Sequence, residues 1–315
     1  MNLESEFARH RGELVAHCYR MLGSLHDAED VVQETYLRAW KGFADFERRS
    51  SVRTWLYRIA TRLSLNALRH SSRRLVPSAL GAPGTDPNAL APPELATAWL
   101  EPFPDHLLGP DPAQVVGTRQ SLRLALVAAL QHLPPRQRAV LIFREVLAWP
   151  AAEVAELFGT TPAAVNSSLQ RARAELARVA PAEDRLSEPD APARRALLDQ
   201  YARAFEHADL AALEGLLTRD VRWEMPPRPT WFHGREDVLR LLAAKLVPGG
   251  GMRTTVATSA NGQPAFAVYT RGKDGGFHAR YLQVLTLAEE GVSAVLAFHR
   301  PDLFPSFGLP VDRAA

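Results

Sequence analysis

One cysteine and three lysines stand in a chain of 315 residues, and each shortage excludes something. Cys18 has no partner for an internal disulfide, and no Cys/His set has the spacing of a zinc site. Long apolar runs are also missing: the stretch Leu122–Leu130 is interrupted at Arg123 and ended by Gln131, well short of the ~18 residues of a membrane span. The first ten residues, MNLESEFARH, lack a basic segment followed by an apolar one, so no secretory signal is expected. These absences predict a cytoplasmic protein with no membrane contact, no metal and no cofactor.

What is present suits a soluble chain of two or three domains: 46% hydrophobic and 23% charged residues. The overall charge of +2 conceals a strong segmentation. Residues 1–75 carry 13 basic and 9 acidic side chains, whereas residues 76–112 carry 5 acidic and none basic. Residues 113–180 return to 8 basic against 4 acidic, residues 181–192 are acidic again, and 193–315 hold a net +2. Basic blocks separated by acidic spacers point to modules that meet nucleic acid, joined by linkers that do not. Nine prolines fall within 76–112, so no regular helix or strand is expected there. The reading is therefore 1–75, a helical module; 76–112, an acidic Pro-rich linker; 113–180, a second helical module; 181–192, a short linker; and 193–315, a third module.

The second module carries the clearest local pattern, AAEVAELFGTTPAAVNSSLQRARAEL over Ala151–Leu176. Ala155 is small enough for two helices to cross, and Gly159 can take the positive φ of a sharp turn. Thr161 then caps a new helix that begins at Pro162. Val154, Leu157, Phe158, Val165 and Leu169 fall on the inward face of this helix-turn-helix. Ala163, Asn166, Ser167, Gln170 and Arg171 project outward from the early turns of the second helix, where readers of the major groove lie. Arg171, Arg173 and Arg178 add phosphate contacts.

The first module is acidic, then basic. Asp27, Glu29, Asp30 and Glu34 lie within eight residues that contain no basic side chain, while Arg48–Arg74 holds eight arginines and no acid. The apolar stripe of Asp27–Phe43 is Val31, Val32, Tyr36, Leu37 and Trp40; that of the helix from Ser51 to about His70 is Trp55, Leu56, Ile59, Leu63 and Leu68. An acidic, aromatic-edged helix suits a basic protein partner. Trp55 and Tyr57 among the arginines could stack on unpaired bases, or equally fill a core.

DAEDVVQETYLRAW (Asp27–Trp40) followed by SVRTWLYRIATRLSLNALR (Ser51–Arg69) closely resembles region 2 of the extracytoplasmic-function group of bacterial sigma-70-family factors. LPPRQRAVLIFREVLAWPAAEVAELFGTTPAAVNSSLQRARAEL (Leu133–Leu176) resembles their region 4. The resemblance implies that Asp27, Asp30, Gln33, Glu34 and Leu37 dock on the β′ clamp helices of core RNA polymerase, with the β flap as a second polymerase contact. It implies that Arg53, Trp55, Arg58, Arg62, Asn66 and Arg69 read the −10 promoter element. Thr161, Ala163, Asn166, Ser167, Gln170, Arg171 and Arg173 would read the −35 element in duplex form. The family often places a basic residue, Ser, then Arg in that helix, where this chain has Asn166-Ser167-Ser168. The acidic linker would thread through polymerase channels that otherwise take nucleic acid.

In the third module, helical patterning over 193–217 leads to a strand at Val221–Met225, a helix around Glu236–Leu246, and strands at 253–258, 265–271, 277–288 and 292–299. The turns at 273–276 and 289–291 suit antiparallel hairpins. The stretch Asp209–Leu242 resembles the SnoaL-like branch of the nuclear-transport-factor-2 superfamily, a curved sheet wrapped by helices into a cone, and LFPSFGLP (Leu303–Pro310) resembles the tail of the sigma-G-type subgroup. The expected fold is multidomain: two all-α sigma modules, then an α+β NTF2-like cone. Such a cone offers an apolar pocket for a small-molecule ligand, which Trp223, Met225, Trp231, Phe232 and His233 would line. His233, His278, His299 and Asp274 are the side chains available for chemistry there, yet no catalytic residue is assigned.

The resulting expectation is a non-enzymatic sigma factor that binds core polymerase and promoter DNA and is tuned by its C-terminal domain. One alternative is a bifunctional protein whose cone binds or converts an apolar metabolite. A free-standing repressor is the other, and the acidic helix Asp27–Trp40 would be idle in it.

Overall fold

The computed structural model describes residues 2–46, 50–69, 72–108, 120–179, 191–247 and 252–314. The short linker expected at 181–192 lies almost wholly outside them. The chain forms two compact units: Met1–Arg74 with Leu100–Pro181, and Leu75–Trp99 with Ala182–Ala315.

In the first unit the described helices are α1 (Leu3–Leu22), α2 (Leu25–Gly42), α3 (Val52–Ala67), α4 (Leu124–Leu130), α5 (Pro135–Leu141), α6 (Ala151–Phe158) and α7 (Pro162–Val179). One π-helical turn, Ile142–Val146, continues α5. Local chemistry sets the ends. Asn2, Ser24 and Ser51 each accept a backbone N–H of the helix they cap, and Gly23 closes α1 at φ 69°. From sequence no element is assigned to Leu3–Leu22, although Asn2, the acids Glu4 and Glu6, and Gly23 carry the end signals of a helix there.

The two N-terminal stripes turn out rotated from the expected positions. In α2 the buried residues are Leu25, Ala28, Val32, Thr35 and Ala39, which leaves Leu37 and Trp40 in solvent. In α3 the core takes Leu56, Tyr57, Ala60 and Leu63, while Trp55 is only half-buried. Small residues set this pattern, because Ala28, Ala39 and Ala60 let neighbouring helices approach closely. Larger side chains are then displaced to the flanks.

The segment 76–112 divides between the units, and its last residues lie outside the described ones. Leu75–Trp99 forms a strap on the second unit, with a short 3-10 turn at Pro77–Ala79 and a bridge between Leu75 and Trp99. From Leu100 the chain packs on α1 and includes a 3-10 turn at Asp105–Leu108. Leu107 presents its carbonyl so closely to Gly12 that an added Cβ would lie 2.5 Å from that oxygen. Proline excludes regular helix and sheet here, but not burial: Trp99, Leu100 and Phe103 are all buried.

The second unit contains α8 (Ala191–Glu206), α9 (Leu210–Leu216), α10 (Arg235–Leu246) and strands β1 (Leu217–Glu224), β2 (Trp231–His233), β3 (Arg253–Ala260), β4 (Gln263–Arg271), β5 (Phe277–Ala288), β6 (Gly291–Phe298) and β7 (Asp312–Arg313). The sheet runs β2-β1-β6-β5-β4-β3, with β7 on the end of β5. Pairing is antiparallel except for β1 with β6. Register shifts at Val268/Tyr269 and Thr286/Leu287 bend the long strands, as bulges do, and the bent sheet wraps a core that includes Phe205, Trp223, Phe232 and Leu241. The short strands β2 and β7 carry too few residues for an alternating pattern to reveal them.

Candidate nucleic-acid and partner interfaces

The helix-turn-helix is built as its spacing requires. Gly159 takes φ 59° and its N–H returns to the end of α6, while the Thr161 hydroxyl accepts the Ala164 N–H at 3.2 Å to start α7. Val165, Leu169 and Ala172 are buried, so the opposite face is presented outward. Thr161, Ala163, Asn166, Ser167, Gln170, Arg171 and Arg173 are all exposed. Arg173 is engaged by Glu145 at 2.5 Å, whereas no ion pair or hydrogen bond is recorded for Arg171 among the described residues. The face thus presents amide and hydroxyl groups with a guanidinium beside them.

On α2 the residues expected to meet polymerase separate into two groups. Asp30, Gln33 and Leu37 are exposed and succeed one another at helical spacing, with Glu34 half-exposed and held by Arg38 at 2.7 Å. Leu37 is 46% and Trp40 61% exposed, an apolar ridge beside the acids. Asp27 differs, for its carboxylate accepts from Arg74 at 2.5 Å and caps the fold.

The −10 candidates on α3 also split. Arg62, Asn66 and Arg69 are exposed, at positions i, i+4 and i+7 of one face, with Arg69 just past the end of the helix. Trp55 stacks on Phe46 with centroids 4.7 Å apart. Arg53 turns the other way and grips Glu13 through three hydrogen bonds of 2.7–2.9 Å. Burial raises the Glu13 carboxyl, but the bonds and charge of Arg53 outweigh it, and the group titrates below its ordinary value. Tyr57, a possible base-stacking residue from sequence, is fully buried: its hydroxyl donates to Glu13, and its ring packs on His17, Phe143 and Trp149. Arg58 is ion-paired to Glu156 of α6.

Those contacts close the two helical modules on each other within the first unit. Two buried arginines add to the closure, and no sequence pattern announced them. Arg20 donates to Ser121 at 2.8 Å, and Arg138 donates to the carbonyls of Met21, Gln131 and Leu133. Burial lowers both guanidinium groups to about 10, so each stays charged at neutral pH. His17 sits at the centre of this junction.

In the second unit a cavity of about 540 Å³ opens within the cone, floored by Phe205, Trp223, Met225, Leu241 and Leu246. Trp223 and Met225 are among its lining residues. The remaining three pocket candidates are not: Phe232 is in the core, the Trp231 indole donates to the Gly81 carbonyl at 2.9 Å, and His233 borders a separate shallow depression. Neighbouring positions on a strand alternate faces, which sequence spacing in a loop-strand region could not resolve. Of the chemically capable side chains, only His299 reaches the cavity. Burial first, then Arg228 and Arg280, lowers its imidazole to about 4, so it is neutral. His278 pairs with both Asp274 and Asp312 on the surface. No carboxylate lines the cavity among the described residues.

A helix-turn-helix module, an acidic-ridged helical module and a cone together define a multidomain DNA-binding regulator. The comparisons agree. The sequence matches the Sigma-70 region 2 family over residues 7–74, Sigma-70 region 4 over 123–176, and the SnoaL-like domain over 198–295. It is 51% identical to the extracytoplasmic-function (ECF) RNA polymerase sigma factor SigG of Mycobacterium tuberculosis across 96% of this chain and 82% of that protein. To SigJ of the same organism it is 30% identical across 98% of this chain and 96% of SigJ. The crystal structure of SigJ matches with a TM-score of 0.65 at 26% identity, covering 98% of this chain and 99% of that one. The chain belongs to the ECF sigma factors. No described helix is long and apolar enough to cross a membrane.

Proposed function

We propose that the chain directs core RNA polymerase, in the cytoplasm, to promoters whose −35 duplex is read by α7 and whose −10 element is opened and read by α3. The ridge Asp30, Gln33, Glu34, Leu37 and Trp40 is the polymerase-docking face, meeting the basic β′ clamp helices, while the helix-turn-helix module approaches the β flap. Asp27 contributes to this face by fixing its base through Arg74 rather than by reaching the partner. The observation that carries the reading is that ridge. Leu37 and Trp40, neighbours at i and i+3 and both exposed, make an apolar patch rimmed by acids, the kind of surface that marks a protein–protein contact.

The two elements differ by about 25 base pairs in name, which is about 85 Å of B-form duplex at 3.4 Å per step. Arg58 of α3 touches Glu156 of α6 in this structure, so the helical modules separate before both elements are engaged together. The closed arrangement is accordingly a resting state, and Arg58 becomes available to DNA on opening, whereas Arg53 stays on Glu13 within its own module. The second unit tunes that activity without catalysis of its own, through a small molecule held in its cavity.

Run-off transcription with core polymerase and a promoter library tests the proposal. The full chain should give promoter-selective transcripts, and the double change Asp30→Lys with Leu37→Asp should abolish both polymerase binding and transcript while the protein stays folded. Unaltered polymerase affinity in that variant would refute the docking face.

A further inference from the structure

Five cations rim the cavity of the second unit: Arg228, Lys245, Arg253, Arg271 and Arg280. They come from the β1–β2 connection, α10, β3, β4 and β5, and only the fold brings them together. None of the five makes an ion pair with a carboxylate among the described residues. Three are used locally as donors to neutral acceptors: Arg228 to the Ala91 carbonyl at 2.7 Å, Arg253 to the Leu246 carbonyl, and Arg271 to the Gly275 carbonyl at 3.3 Å. Lys245 and Arg280 are exposed. Uncompensated positive charge around an apolar floor is unfavourable in the empty protein and favourable once an anion enters. The depressed imidazole of His299 registers the same field, since Arg228 and Arg280 add to its burial. Deeper in the sheet, Gln283 has an amide nitrogen with no hydrogen-bond partner among the described residues, on the strand face shared with Tyr281 of the cavity wall.

The strap passes over this cavity. Leu90 is part of its lining, and the neighbouring Ala91 is held on both sides, its N–H by Thr230 and its carbonyl by Arg228. Gly84 N–H to the Trp231 carbonyl and Glu94 N–H to the Pro227 carbonyl fasten the flanking residues.

We propose that this cavity binds a small amphiphile with an apolar body and a single anionic head, carboxylate or phosphate, and that the bound body packs on Leu90 and holds the strap in place. The inference rests on the ligand-binding reading of the cone and names its chemistry. A cavity of about 540 Å³ is within the usual range for such ligands and takes a chain of about ten carbons with room for the head. The head lies among Arg228, Arg253 and Arg280, and the body on Trp223, Met225 and Leu246.

Calorimetric titration of the full chain with decanoate, decyl phosphate, decan-1-ol and decyltrimethylammonium, all below micellar concentration, tests it. An anion should bind at least about ten-fold tighter than the alcohol, the worth of one charge-assisted hydrogen bond, and the cation weakest. The tighter of the two anions names the head. Arg280→Gln, at an exposed position beside the head, should remove most of the anion preference and leave the alcohol unchanged. Equal binding of anion and alcohol overturns the assigned chemistry while leaving the cavity a ligand site. Failure of all four probes overturns the cavity reading as well. Hydrogen exchange at the Gly84, Ala91 and Glu94 amides should slow on adding the tighter anion. Unchanged exchange in a saturated sample would overturn the coupling to the strap.

Discussion

Acidification should loosen the first unit through a single imidazole. His17 is fully buried between α1, α3 and the second helical module, and its Nε2 lies 2.9 Å from Thr61 Oγ1. That hydroxyl already donates to the Tyr57 carbonyl, so His17 must be the donor and its proton sits on Nε2. Nδ1 has no acceptor among the described residues, so a second proton would enter a buried site beside Tyr57 and Phe143 with none of them to receive it. Burial, helped by Arg20 and Arg53, lowers the group from 6.5 to about 3. The folded state therefore excludes a proton that the unfolded state takes up. The stabilisation is complete above the ordinary histidine value and is lost as pH falls from there toward 3. Between pH 7.5 and 5 the loss is about 2 kcal/mol, because each unit of pH below 6.5 costs about 1.4 kcal/mol. Urea unfolding at a series of pH values, with His17→Gln alongside, measures it. The variant starts less stable, since it forfeits two ring contacts worth about 0.5–1.5 kcal/mol each, but its curve should be flatter by the stated amount. His299 contributes a similar slope in the second unit and cancels in the comparison. Parallel curves for the two proteins, or an NMR titration of His17 near pH 6.5, would refute the argument.

Three further outcomes follow from the same geometry. Arg171→Ala should weaken binding to a −35 duplex by about 1–3 kcal/mol if the side chain grips a base edge in bidentate fashion, as measured by anisotropy at fixed salt; unchanged affinity would remove it from the interface. Gly12→Ala gains about 1 kcal/mol of helix propensity but drives a Cβ to within 2.5 Å of the Leu107 carbonyl, so the net should be a lower melting temperature and faster exchange over residues 105–108. Ser78→Ala removes the hydroxyl hydrogen bond to the buried Glu224 carboxylate, whose value burial already raises, and leaves the bond from the Ser78 backbone N–H in place. A raised carboxyl favours folding at low pH and costs stability as pH rises through its folded value, so the variant's deficit should widen from pH 5 to pH 8; a deficit independent of pH would be evidence against the strap anchor.

The helix-turn-helix was legible residue by residue because its determinants are local. Ala155, Gly159, Thr161 and Pro162 each answer a steric or hydrogen-bonding demand of their own neighbours, and the outward face of α7 follows from helical periodicity. The strands of the cone were equally readable wherever five or more residues alternated between turn signals. Charge segmentation exposed the acidic and basic faces of the first module.

Only tertiary structure could decide the rest, since it depends on residues far apart in sequence. Whether Tyr57 met DNA or core turned on Phe143 and Trp149, more than eighty positions away. Proline in residues 76–112 excluded regular elements but could not say that Leu75–Trp99 would be fastened to a sheet more than a hundred residues later. The five cations of the cavity rim are spread from Arg228 to Arg280 without a motif. Local chain chemistry fixes helix ends, turns and faces; the meeting of distant side chains is set by how the faces pack, and that is where the closed junction and the charged cavity arise.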